Sequence, residues 1–243
     1  MKKLFIPLIS ILILASCNSS TSFEKVECEP EGGGYSVFKP CREYVFNARF
    51  WSAESELISE DKIWMMATGK PWEFQPESQK ELAIQYEYDT SEVGQIVKAS
   101  INQEIVSQPW ERKEVTGIIE NENRIWMHPF RSNQYAFTEV APFPEVALPL
   151  EIGKTWGSSL QIYEGWGEWA NSTLNKEYEI VDFEQLEIPY GQLEAWHISS
   201  ITFAPFGNST HNFWFHHELG FVKMVIHNYA GQTLEIELLE VID

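Results

Sequence analysis

The tightest constraint on the fold is the period-two alternation that ends the chain. Val222, Met224 and Ile226 take every second position between Phe221 and Tyr229, and Leu234, Ile236 and Leu238 do so between Thr233 and Ile242. Successive side chains of a strand point to opposite faces, so each segment buries one face and wets the other. Ala230-Gly231-Gln232 between them reads as a hairpin turn. The same texture recurs upstream. Glu81 to Tyr88 and Gln95 to Ser100 read as strands around a turn at 89–94. Val115 to Ile119 and Arg124 to His128 flank Glu120-Asn121-Glu122-Asn123, and Tyr178 to Phe183 and Leu193 to Phe203 lie around Pro189-Tyr190-Gly191. Phe213 to Phe215 leads through His217-Glu218-Leu219-Gly220 into the last hairpin.

Hairpin after hairpin without long helices predicts a mainly β fold: a curved antiparallel sheet, an open half-barrel or sandwich-like, with one or two short helices. The strands are too aromatic and too alternating for a parallel α/β sheet. One helix is expected from Ser59, with Glu60 and Asp61 in its first turn, Ile63, Trp64 and Ala67 along one face, and Gly69 as its stop before Pro71. Pro142, Pro144 and Pro149 bar the stretch 141–149 from being a central strand and make it the best internal boundary of a single β-rich domain, 26–243. The concave side of such a sheet suits an apolar or lipid ligand.

The first residues follow different rules. Lys2 and Lys3 precede an apolar run, Leu4 to Ala15, too short to span a bilayer. It ends in Leu14-Ala15-Ser16-Cys17, which resembles the lipobox of bacterial lipoproteins. The resemblance implies that 1–16 is a signal peptide, that Cys17 accepts diacylglycerol, and that 17–25 is a tether carrying the membrane contact. Each buried CH2 of the acyl chains then adds about 0.8 kcal/mol to anchoring. Asn18 in place of Asp, and no acidic run after Cys17, imply an outer-membrane anchor with the domain facing the periplasm.

The formal net charge of −19 excludes nucleic acid as a partner, because such a surface repels phosphates. With Cys17 lipidated, Cys28 and Cys41 remain as an even pair in an oxidising space and read as a disulfide. No His or Cys near them would complete a zinc site.

Ten Trp and 14% aromatic residues suit half-buried sheet surfaces and also stack on sugars. The most site-like segment is Tyr163, Glu164, Trp166, Glu168 and Trp169, where Gly165 and Gly167 let the backbone bend. Aromatic faces beside carboxylates suit a glycan ligand, and two carboxylates at the right separation would hydrolyse a glycosidic bond. Packing at a strand–turn junction explains the same residues. His211, His216 and His217, with Glu218, are the densest group of metal-ligating types, but neighbours on a strand face opposite ways and the spacing matches no zinc signature. Gly153-Lys154-Thr155 lacks the earlier glycine of a phosphate loop, since that place is Leu148. No nucleophile elbow is present, and no catalytic residue, metal or cofactor is assigned.

From Ile125 onward, Pro142-Phe143-Pro144, Leu148-Pro149-Leu150, Gly153-Lys154-Thr155-Trp156, Ile188-Pro189-Tyr190-Gly191, and Trp214 followed by Gly220-Phe221-Val222-Lys223 form a pattern. It resembles exported TapB-like proteins, especially lipoproteins of Bacteroidota. That implies a β-rich exported domain and transfers no activity. The expectation is a membrane-anchored envelope lipoprotein, a non-enzymatic binding or structural module. The alternative is an exported carbohydrate-binding protein or glycoside hydrolase using Tyr163 to Trp169.

Overall fold

The structure, a computed structural model, describes residues 26–31 and 36–243. The signal segment 1–16, Cys17 and the tether 17–25 lie outside the described residues. The strands are β1 (Glu43–Trp51), β2 (Leu57–Pro71), β3 (Lys80–Glu87), β4 (Lys113–Glu120), β5 (Arg124–Met127), β6 (Glu145–Ala147), β7 (Thr155–Gln161), β8 (Thr173–Ile188), β9 (Gly191–Ala204), β10 (Gly207–His216), β11 (Gly220–His227) and β12 (Thr233–Ile242). Helices α1 (Val93–Ala99) and α2 (Gln103–Val106) follow β3, and short 3-10 segments span Asn133–Val140 and Gly167–Trp169.

All twelve strands form one antiparallel sheet in the order β6-β5-β4-β3-β2-β1-β12-β11-β10-β9-β8-β7. The sheet curls into a nearly closed barrel, as the hairpin pattern predicts. Its two edges, β6 and β7, border an open seam. The Pro-rich stretch 141–149 leads into β6, which is an edge strand.

The last hairpin shows why the chain folds this way. Met224 pairs with Ile236 and Ile226 with Leu234, and all four face the core with Val222 and Leu238. Asn228 holds the turn, its Oδ1 accepting from the N–H groups of Ala230 and Gln232 at 3.0 Å each.

The helix expected from Ser59 is instead part of β2. Ile63, Met65 and Ala67 face the main core, whereas Trp64 and Met66 face outward. There they pack with Val45, Ala83, Leu239, Val26 and Cys28. The N-terminal segment covers that outer face, so β2 is apolar on both sides and imitates a helical stripe. The Cys28–Cys41 disulfide, with a Cα–Cα distance of 5.5 Å, fixes the cover. The reverse correction applies to Gln95 to Ser100, expected as a strand and found in α1. Ile96 and Ser100, four residues apart, are both buried, and the Ser100 hydroxyl donates to the Ile96 carbonyl at 2.8 Å. That is a helical spacing too short to show periodicity in sequence.

The segment Asn133–Val140 lies inside the barrel as a plug, and every one of its residues is buried. Phe137 stacks on Phe50 with centroids 5.8 Å apart, and Tyr135 on Tyr86 at 5.6 Å. Gln134 donates to Asp61 at 2.8 Å, and Thr138 donates to the Phe130 carbonyl. The concave face is thus filled by the chain's own residues.

Candidate functional site

Two of the cavities among the described residues bear on function. The first lies at the barrel end closed by α1, α2 and the 163–169 segment. It is a cavity of about 370 Å³ with an apolar wall of Ile105, Val106, Pro109, Ala136 and Trp166. Arg131, Ser132 and Asn133 supply its polar side. Its volume falls within the range of about 300–1,000 Å³ usual for small-molecule sites.

The backbone that presents Trp166 is held by specific contacts. Gly165 (φ +93°) and Gly167 (φ +51°) are left-handed, and a Cβ on Gly167 would lie 2.6 Å from Asn102 Oδ1. Asn102 Nδ2 donates to the Trp166 carbonyl at 3.0 Å. These bends send the aromatic residues in three directions. Tyr163 is 73% exposed, Trp166 is half-buried at the cavity, and Trp169 is fully buried. Trp169 Nε1 donates to the Tyr229 hydroxyl at 2.7 Å, which donates to Glu168 at 2.8 Å. Glu164 and Glu168 are both exposed. Tyr163 and Trp166 are therefore the rings available to a ligand, while Trp169 serves the core.

The three histidines do not converge. His211 faces into the barrel, whereas His216 and His217 sit at the far end of β10, and the His217 side chain is 74% exposed. Among the described residues, no group of three or more His, Cys, Asp or Glu is placed to hold a metal.

The second space is the seam. Lys176 of β8 takes an inward position between Leu174 and Tyr178, and it is only 3% exposed. Its ammonium lies 3.2 Å from the centroid of the Phe143 ring. Burial pulls its pKa down to about 7, opposed by Glu139 and Glu145. Burial likewise raises both of these carboxyls. Across the sheet, Lys176 pairs with Thr202 and Thr202 with Ser209, and in the next row Tyr178 pairs with Ser200 and Ser200 with His211.

This inner row is polar and incompletely paired. His211 Nδ1 meets the Pro142 carbonyl at 2.8 Å, which makes Nδ1 the protonated nitrogen and leaves Nε2 a bare acceptor. His211 Nε2, Thr202 Oγ1 and Ser209 Oγ are buried without a hydrogen-bond partner in the protein, and Glu139 Oε2 has only a 3.7 Å contact with His128 Nε2. Burial lowers the His211 pKa to about 4 and that of His128 to about 3. His128 Nδ1 donates to the Pro129 carbonyl, and its Nε2 accepts from Arg131 at 3.3 Å. Arg131 also binds Glu114 at 3.0 Å, and Glu114 accepts from Tyr86 and Ser132. A polar relay thus runs from the end cavity toward the seam.

Sequence reasoning missed Lys176. The available signal was a lysine at an inward register of an alternating strand, with Leu174, Tyr178 and Ile180 on the same side.

No family model and no curated protein matches the chain. Several solved structures resemble it, among them the following three. One, from Bacteroides fragilis, is described as an exported protein with a YmcC-like fold; identity is 9% and TM-score 0.42, covering 86% of this chain and 99% of the other. A second, described as a lipoprotein, is from Parabacteroides distasonis, with 10% identity and TM-score 0.46, covering 86% and 100%. A third is the hypothetical lipoprotein YmcC from Escherichia coli, with 10% identity and TM-score 0.34, covering 86% and 90%. At these identities and scores the likenesses decide neither the activity nor the ligand of this chain.

Proposed function

We propose that this protein is a lipid-anchored, non-enzymatic binding module of the bacterial envelope, held at the outer membrane through Cys17 and facing the periplasm, and that it takes a small glycan at the cavity beside Trp166. The observation that carries the reading is the pairing of a half-exposed indole with a cavity of about 370 Å³ whose polar side includes Arg131. Sugar CH groups pack on an indole face, and hydroxyls need donors and acceptors at the rim. Tyr163, Glu164 and Glu168, exposed on the same segment, extend that rim. The Leu14-Ala15-Ser16-Cys17 motif and the Cys28–Cys41 disulfide support the compartment. Carriage of an apolar ligand on the concave face is disfavoured, because the plug fills that space.

The test is a glycan array followed by calorimetric titration of the best hit. Trp166→Ala should weaken binding by about tenfold or more, equivalent to about 1.4 kcal/mol, and Trp166→Phe should retain most of it. A native protein that binds no glycan on the array removes the glycan reading.

A further inference from the structure

A buried ammonium without a hydrogen-bond acceptor has donors to spare. Lys176 is such a group: it lies against the ring of Phe143, feels Glu139 and Glu145 through space, and among the described residues makes no hydrogen bond to the protein. It is not sealed in. It lines a cavity of about 200 Å³ between the two sheet edges, with room for roughly six waters at about 30 Å³ each. Residues from β5 and β6 form one wall and Ser158, Ser159 and Leu160 of β7 the other.

We propose that this seam is a second binding site, distinct from the Trp166 cavity, that takes a small organic monocarboxylate with its acid group on Lys176 and its apolar body against Trp126, Phe143 and Leu160. An ammonium in a low-dielectric site gains most from a charged acceptor, since charge-assisted hydrogen bonds are roughly twice as strong as neutral ones. A carboxylate fits better than a phosphate dianion for two reasons. The walls carry aromatic and aliphatic surface, and the second cation, Arg124, is already engaged by Glu145 at 3.6 Å. Glu139 and Glu145 act on Lys176 through space without hydrogen-bonding its ammonium, which leaves its N–H donors for a single carboxylate. The charged and titratable groups around Lys176 are Glu139 on the plug, Glu145 on β6, His128 beyond β5 and His211 on β10. Burial raises the pKa of both carboxyls and lowers that of both imidazoles, and neither carboxyl hydrogen-bonds the ammonium.

The probe is benzoate, titrated into the disulfide-intact domain at neutral pH and followed by calorimetry and by amide chemical shifts. Benzyl alcohol, of the same shape without charge, is the control. Saturable benzoate binding with shifts clustered on β7, β8 and the 141–145 segment is expected, with benzyl alcohol weaker by about tenfold. Lys176→Met should abolish binding, and a cooperative melt of the variant, recorded alongside, shows that it is folded. Ser159 is exposed at the mouth, so Ser159→Trp should block entry without touching the core. Trp166→Ala should leave benzoate affinity unchanged, which keeps failure here separate from failure of the glycan reading. The proposal is overturned by any of four results: no saturation at about 10 mM benzoate, undiminished binding by Lys176→Met, equal affinity for benzyl alcohol, or displacement by equimolar inorganic phosphate.

Discussion

The barrel interior has two sides that obey different rules. Under β1, β2, β11 and β12 the plug meets a mostly apolar wall, interrupted by Asp61 of β2, which accepts from Gln134. Phe50 stacks on Phe137, Phe46 packs with Phe130 at 6.0 Å, and Val222, Met224, Leu234, Ile236 and Leu238 complete the packing. Under β8, β9 and β10 the inward side chains include Lys176, Thr202, Ser209 and His211, and Glu139 of the plug acts on Lys176. The first side gains its stability from removal of apolar area from water. The second spends stability, since buried polar groups without partners cost about 1–3 kcal/mol each. The contrast teaches where to look for function. A fold that retains an expensive patch beside an economical one does so where stability alone is not being selected.

The comparison can be broken most sharply on the apolar side. Phe137→Ala should cost about 3–5 kcal/mol in urea unfolding, because it empties the stack against Phe50 and leaves a cavity. A loss below about 1 kcal/mol would show that the plug is not integral to the core.

The polar side should respond to acid. His211 has its pKa lowered to about 4 in the folded protein, against about 6.5 unfolded. Below pH 6.5 the unfolded chain binds a proton that the folded one refuses. Stability held above that pH is therefore lost as pH falls toward 4, at about 1.4 kcal/mol per pH unit for this group. Subtracting the curve of His211→Asn isolates this slope from the carboxyls, whose raised pKa values act in the opposite direction. Identical native and variant slopes between pH 6.5 and 4 would mean that His211 is already charged or is reached by solvent.

The smallest effect sharpens the comparison at one atom. Thr202 is fully buried and its hydroxyl has no protein partner. Thr202→Val keeps the shape and removes that hydroxyl, so a gain of about 1 kcal/mol is expected in chemical unfolding. A loss instead would reveal a partner for the hydroxyl and make the patch cheaper than described.

How much of this was legible in the sequence depends on what each element packs against. The inward positions of β11 and β12 were readable from the alternation, although β11 runs Gly220–His227 where Phe221 to Tyr229 was expected. β2 was misread because Val26 and Cys28 cover its outer face, a contact made across a long stretch of chain. The Trp166 cavity was half visible: the aromatic run with Gly165 and Gly167 marked the place, but spacing could not tell which ring turns inward. The seam was invisible as a site. Lys176 lies on β8, Glu139 and Phe143 on the stretch from the plug to β6, and they meet only when the sheet curls until its edges approach. Long-range closure leaves no local pattern to read.

The cover formed by Val26 and Cys28 would also set which way a molecule anchored at Cys17 stands. It rests on the outer wall near β1 and β12, the middle of the sheet and hence diametrically across from the slit between β6 and β7. The nine residues 17–25 reach at most about 30 Å when fully extended. A molecule moored at Cys17 would turn its disulfide-clasped back to the bilayer and open its slit to the aqueous side, where a soluble acid arrives by diffusion without first partitioning into lipid.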